Sequence, residues 1–364
     1  MKLLLLSYPL TAVTPAACGG TEQMAYLLLQ FLRRHGEFQV TWVGAQESRL
    51  WPAIEFISWP RLLAQCGLGS FPPAPLSQSA LDGLLSRCHA AAQQLASRLA
   101  CVSRLDVIHN LGALFQVRAG DFPAPVLFTL HLARNLYPME AGSSPPPGVH
   151  WQCVSLTQAT GYGPAACCGA IPNGIDLRRY STRPRSADRR APLLYLGRMC
   201  PEKAPHAAIA IARAAHRRLF LVGSVAPFPS HQRYFARQIA PHLNGDVRWL
   251  PPPSAGAKRD LLAAAAAVVI PSRIAETSSI VAMEAAACGV PVLAASIGTL
   301  PEVVADGITG FVGADAELAE AAAVRLAAIA PRACRRHAER HFDARRMTAA
   351  YRRLYRRLAQ QPLH

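Results

Sequence analysis

Residues 267–295 read AVVIPSRIAETSSIVAMEAAACGVPVLAA. An apolar β-branched run is followed by a polar loop holding Glu276, by a short Ala-rich helix that carries Glu284 and closes at Gly289, and by a second apolar run. Strand, loop, helix and strand in so short a span is the repeat of a parallel sheet wound with helices. The same alternation extends outward in both directions. Strands are predicted near 192–196, 219–222, 247–250, 268–270, 291–294 and 311–312, and in the first half at 2–6, 39–43, 106–109, 126–130 and 151–155. Between the first two, Met24, Leu27, Leu28, Phe31 and Leu32 recur at the helical period, with Thr21 as the expected N-cap and Gly36 as the stop. The fold class expected is α/β, with two Rossmann-like units. Ile171-Pro172-Asn173-Gly174-Ile175-Asp176 has strong turn chemistry and precedes a polar, Arg-rich stretch, so the boundary is placed there. The expected domains are 1–170, 171–342 and a C-terminal helical segment, 343–364. Pro-rich pieces at 72–75 and 143–148 read as surface loops.

A chain of 364 residues with 51% hydrophobic content is long enough for two cores. No apolar run approaches the roughly 20 residues that span a bilayer. The opening KLLLLSYPL is too short for a secretion signal and is broken by Pro9, and the lipoprotein-like Pro15-Ala16-Ala17-Cys18 leads straight into a glycine turn. Ten cysteines without Cys-x-x-Cys or His/Cys ligand spacing fit a reducing cytoplasm better than a disulfide framework or a metal site. The net charge is +16, and residues 332–357 contribute ten arginines against Glu339 and Asp343. Such a field suits phosphates on a nucleotide, a nucleic acid or an anionic lipid, and does not choose among them. In the last helix Met347, Ala350, Tyr351, Leu354, Tyr355 and Leu358 share one face, with Arg345, Arg346, Arg352, Arg353, Arg356 and Arg357 around the rest. That stripe packs on the protein, or lies on the inner face of an anionic membrane.

Four places carry chemistry. Gly19-Gly20 follow the first strand and open a helix, whose free N–H groups favour an anion, although the full G-x-G-x-x-G of a nicotinamide enzyme is absent. After the strand at 192–196 come Arg198 and Lys203, two cations at the carboxyl end of a parallel sheet, placed to clamp a diphosphate. Lys203 stands out because Lys2 and Lys258 are the only other lysines. Glu276 and Glu284 stand eight residues apart, the second among apolar helix residues, where a buried carboxylate needs hydrogen-bond donors such as sugar hydroxyls. Ser278 and Ser279 are potential caps of that helix. His131 ends the strand VLFTLH on the carboxyl side, and His109 is similarly placed.

Together CGGTEQ, His131, IPNGID (171–176), LGRMCPEK (196–203), LVG (221–223), Glu276 and Glu284 make the chain resemble the retaining nucleotide-sugar glycosyltransferases of family four, over nearly its whole length. The resemblance implies a GT-B fold of two Rossmann-like domains facing a cleft, and transfer of a hexose-like unit without a bound metal or other cofactor. It implies that Arg198 and Lys203 hold the donor diphosphate, Glu284 the ribose, and Glu276 the transferred sugar. His131 would approach that sugar from the first domain. Gly19, Gly20, Gly223, Thr277, Ser278, Ser279 and Ile280 would line the donor site, and Asn173 and Gly174 would belong to the hinge. The catalytic set implied is His131, Arg198, Lys203 and Glu276. The acceptor is left open and assigned to loops around 44–80 and 132–150. A nucleic-acid partner is not expected. The alternatives are a sugar-nucleotide epimerase of the same fold and a non-enzymatic polyanion- or membrane-binding protein. Three departures from the family pattern stand out: Thr277-Ser278-Ser279 replaces Pro-Phe-Gly, Ala204 replaces a glycine, and Pro251-Pro252-Pro253 removes backbone donors near the expected base pocket.

Overall fold

A computed structural model of the chain describes residues 1–15, 19–72, 77–112, 117–118, 120–137, 144–163, 167–182 and 191–361. The Pro-rich pieces at 73–75 and 143, Ala16-Ala17-Cys18 and most of the Arg-rich stretch after Asp176 lie outside the described residues. The chain divides into two compact units, Met1–Asn173 with Arg345–His364, and Gly174–Ala344.

The first unit holds strands β1 (Lys2–Ser7), β2 (Gln39–Gly44), β3 (Glu55–Ser58), β4 (Val107–Leu111), β5 (Val126–Leu130) and β6 (Val149–Cys153). All pair in parallel, in the order β3-β2-β1-β4-β5-β6. Its helices are α1 (Gly20–Arg34), α2 (Trp59–Gln65), α3 (Gln78–Val102) and α4 (Leu156–Tyr162). The leucine run of β1 shows why this sheet is buried on both faces. Leu4 and Leu6 pack with α2 and α3, while Leu3 and Leu5 pack with α1 and the C-terminal helix.

The second unit repeats the plan with β7 (Leu193–Leu196), β8 (Leu219–Val222), β9 (Val247–Leu250), β10 (Ala267–Ile270), β11 (Val292–Ala295) and β12 (Gly310–Gly313). The order is β12-β11-β10-β7-β8-β9, again all parallel. The helices are α5 (Pro205–Ala214), α6 (Pro229–Tyr234), α7 (Ala255–Ala264), α8 (Ile280–Ala287), α9 (Leu300–Val303), α10 (Asp315–Glu320) and α11 (Pro331–His341); α12 (Ala344–Leu358) ends the chain. In both sheets the winding reverses direction next to the first strand of the unit, between β1 and β4 and between β7 and β10. Crevices at such reversals, at the carboxyl ends of the strands, are where doubly wound sheets bind ligands.

Three expectations are corrected. A sixth strand, β3, was not predicted in the first unit, and the stretch 44–80 read as acceptor loops contains β3, α2 and the start of α3. One exposed and three half-exposed residues at a sheet edge need no apolar run, so the pattern is silent there. The N-cap of α1 is Gly19, not Thr21, which lies in the first turn. Ser279 occupies the N-cap position of α8 but its side chain makes no capping bond.

The apolar stripe of α12 belongs to the core of the first unit, with Met347, Tyr351, Leu354, Tyr355 and Leu358 at most 5% exposed. That stripe is therefore covered by protein and not available to a bilayer. No helix among the described residues is long and apolar enough to cross a membrane.

Candidate functional site

The carboxyl ends of β7 and β10 bring three of the expected residues together. Beyond β7 the chain turns at Gly197, whose N–H donates to Val222 O at 3.0 Å. Gly223 crosses directly over it, and a Cβ there would sit 1.9 Å from Gly197 O, so only glycine fits. The Tyr195 hydroxyl donates to Arg198 O at 2.8 Å, tying down the following turn. The Arg198 guanidinium stands in solvent, 52% exposed, 3.5 Å from Glu202. Cys200, in the same turn, is buried, and burial pushes its thiol up to about 11, so it is protonated at neutral pH and a poor handle for chemical labelling.

One short turn later Lys203 reaches Glu276, Nζ to Oε1 at 2.9 Å. The Glu276 carboxylate is 7% exposed and also accepts from the Ser272 hydroxyl. Its loop is held from two sides: Arg273 N–H donates to Glu202 O, and Thr299 N–H to Glu276 O, each at 2.9 Å. The diphosphate-binding candidates and the sugar-binding candidate thus form one hydrogen-bonded assembly, joining the turn after β7 to the loop after β10.

Glu284 sits inside α8 and is 1% exposed. Its Oε1 accepts from Lys258 Nζ at 2.6 Å and from the Tyr180 hydroxyl at 2.7 Å. Burial and the neighbouring carboxylate push the Tyr180 phenol up, so it stays a donor. Lys258 and Tyr180 were missed as site residues. The scarcity of lysine was a usable signal for Lys258; nothing in the sequence marks Tyr180. Thr277 and Ser278 are half-buried, Ser279 is buried, and Ile280 starts α8, whose first turn carries no acidic residue.

The other expected positions are separate from this assembly or belong to the first unit. Gly19 is exposed, and the Glu22 carboxylate, bonded to Thr11 at 2.7 Å, lies against the position a Gly19 side chain would take. The N-terminus of α1 therefore already faces its own carboxylate. His131 follows β5, and burial pushes its imidazole down to about 4, which leaves it neutral. Asn173 and Gly174 mark the boundary of the two units; Gly174 packs against Ala344 backbone, and a Cβ there would lie 2.7 Å from Ala344 Cα, too close to fit. Pro251, Pro252 and Pro253 follow β9 without secondary structure. No cluster of His, Cys, Asp and Glu suited to a metal ion occurs among the described residues.

Residues 190–329 match the family described as "Glycosyl transferases group 1". That match lies within the second unit and is a similarity of that unit to the family. Over 162 residues it is 36% identical to a protein of Actinosynnema mirum described as D-inositol 3-phosphate glycosyltransferase, covering 39% of this chain and 38% of that one. The chain spans between 32% and 52% of the length of such relatives. Solved structures resemble it from end to end. The sucrose-phosphate synthase of Thermosynechococcus elongatus superposes with a TM-score of 0.76 at 20% identity, covering 98% of both chains. Anabaena Alr3699/HepE, solved in complex with UDP-glucose, gives 0.67 at 21% identity and covers 98% of this chain and 100% of its own. The chain has the GT-B fold of these neighbours, and the assembly around Lys203 and Glu276 lies within the residues matched by the family.

Proposed function

We propose that this chain is a retaining glycosyltransferase that moves a sugar from a nucleoside diphosphate sugar to an acceptor hydroxyl, with no metal ion. The observation that carries the reading is the Lys203–Glu276 pair at the β7/β10 reversal, with Arg198 beside it and Glu284 buried behind. A guanidinium and an ammonium at one turn stabilise charge developing on a departing diphosphate, the service a divalent cation performs elsewhere. Glu276, already engaged by Lys203 and Ser272, is a poor nucleophile; its remaining lone pairs suit sugar hydroxyls. This favours a route in which the leaving phosphate oxygen takes the proton of the incoming hydroxyl on the same face. His131, kept neutral by burial, is assigned a hydrogen bond to the transferred sugar. Asn173 and Gly174 serve as the hinge.

The donor class is supported by relatives described as glycosyltransferases and by a neighbour of the same fold solved with UDP-glucose. Inositol 3-phosphate is the first acceptor to offer, given the description of those relatives and a net charge of +16. The test is thermal unfolding of the purified chain with UDP, ADP, GDP and their hexose conjugates. A ligand at 100 times its dissociation constant adds about 2.7 kcal/mol, a shift of several degrees in a domain of this size. If none of the nucleotides raises the melting temperature, the proposal fails.

A further inference from the structure

Glu284 holds its two oxygens in different circumstances. Oε1 takes both the Lys258 ammonium, at 2.6 Å, and the Tyr180 hydroxyl, at 2.7 Å. Oε2 is buried and has no hydrogen-bond partner among the described residues. A carboxylate inside a protein ordinarily receives donors on both oxygens, and an anionic oxygen shielded from water without one marks the place of a donor not supplied by the fold. The two groups on Oε1 are themselves held. Arg335 donates from one nitrogen to Tyr180 O at 2.7 Å and to Ala287 O at 3.0 Å, stapling the Tyr180 segment to the carboxyl end of α8. Lys258 lies one turn into α7, whose first turn is capped by Ser254 accepting from Ala257 N at 3.3 Å. Its side chain is 23% exposed, so the pair sits just beneath the surface.

We propose that Tyr180 and Lys258 are positioning residues that pin Oε1 of Glu284, so that the donor's ribose is read through a single hydroxyl, accepted by Oε2. This rests on the donor site proposed above and deepens it. A free carboxylate takes two vicinal hydroxyls, one on each oxygen, and discriminates little between them. A clamped one has a single oxygen to offer, and its direction is fixed by the clamp. The specificity then belongs to one ribose position, and removing the clamp removes the preference before it removes binding.

The test uses the full chain and calorimetry. UDP, GDP and ADP are titrated first, and a nucleotide that binds is compared with its 2′-deoxy and 3′-deoxy forms. One deoxy form should bind roughly tenfold or more weakly, the loss of a charge-assisted hydrogen bond, and the other within about threefold of the parent. Equal losses for the two forms would show both oxygens in use and overturn the clamp. Tyr180→Phe removes one hydroxyl with little disturbance to packing, and Lys258→Met removes the charge; each should bring the two deoxy forms to within about threefold of one another, while Lys258→Arg keeps them apart. A preference unchanged in both Tyr180→Phe and Lys258→Met overturns the positioning role. Failure of all three nucleotides to bind overturns the donor-site reading, and this inference with it, whereas binding with equal losses overturns the clamp alone.

Discussion

Two of the three lysines in this chain end on the two glutamates of the proposed donor site, and neither pairing is local. Lys203 meets Glu276 across the β7/β10 reversal, and Lys258 meets Glu284 from α7 to α8. Lys203→Ala should therefore act twice, removing charge from the diphosphate and releasing Glu276, whereas Arg198→Ala removes charge alone. Both are expected to lower kcat/KM for sugar transfer by on the order of 10² or more. Glu276→Gln should restore little to the Lys203→Ala background, because the partners act as one unit; parental rates in both single mutants would contradict the assignment. In the first unit His109 is fully buried, with Nδ1 2.6 Å from the Tyr355 hydroxyl and Nε2 2.7 Å from Thr129 Oγ1. Burial, with His131 nearby, holds its pKa well below the ordinary 6.5. The folded state keeps the ring neutral while the unfolded chain takes up a proton. The stability this provides is complete above pH 6.5 and falls away as the pH drops beneath it. Urea unfolding at neutral and mildly acidic pH should show that loss, and His109→Gln should reduce it, leaving the share that belongs to His131, which burial also keeps neutral.

At the scale of elements, the loop after β10 is positioned by a glycine far along the chain. Gly298 adopts φ +57, and a Cβ there would lie 2.5 Å from Glu276 N and 2.7 Å from Glu276 O. Backbone cannot move aside as a flexible side chain can. Gly298→Ala is expected to cost about 1–2 kcal/mol from its left-handed backbone and to displace Glu276. Transfer should drop roughly tenfold or more while circular dichroism stays that of the parent. Parental transfer by this variant would show that the loop does not position Glu276. Ala204 presents the converse case: it sits at φ 49 with its side chain fully buried, a left-handed alanine between the turn of Lys203 and α5. The departure from the usual glycine is accommodated by the fold, with strain kept next to the site.

For the molecule as a whole, the C-terminal helix is a structural part of the first unit. Met347, Tyr351, Leu354, Tyr355 and Leu358 are each at most 5% exposed. At roughly 1.5–3 kcal/mol per buried large side chain, they contribute on the order of 10 kcal/mol, as much as a whole domain's typical net stability. Deleting residues 345–364 should leave the first unit unfolded and protease-sensitive while the second survives limited proteolysis, since its core is built from its own residues. Eleven of the twelve strands among the described residues were legible, most of them because parallel strands buried on both faces read as continuous apolar runs; β9, an exposed edge, was legible from its Val, Trp and Leu alone. The twelfth, β3, is a half-exposed edge and leaves no such trace. Arg198, Lys203, Glu276 and Glu284 were legible as candidates from residue type and position after strands, while Tyr180 was not, because a tyrosine near a turn is unremarkable until its partner is known. The sequence by itself determined the winding of two parallel sheets and the kinds of charge placed at their carboxyl ends. Tertiary structure alone decided which charges meet, because those meetings depend on the order of strands within a sheet, a non-local property that no window of residues contains.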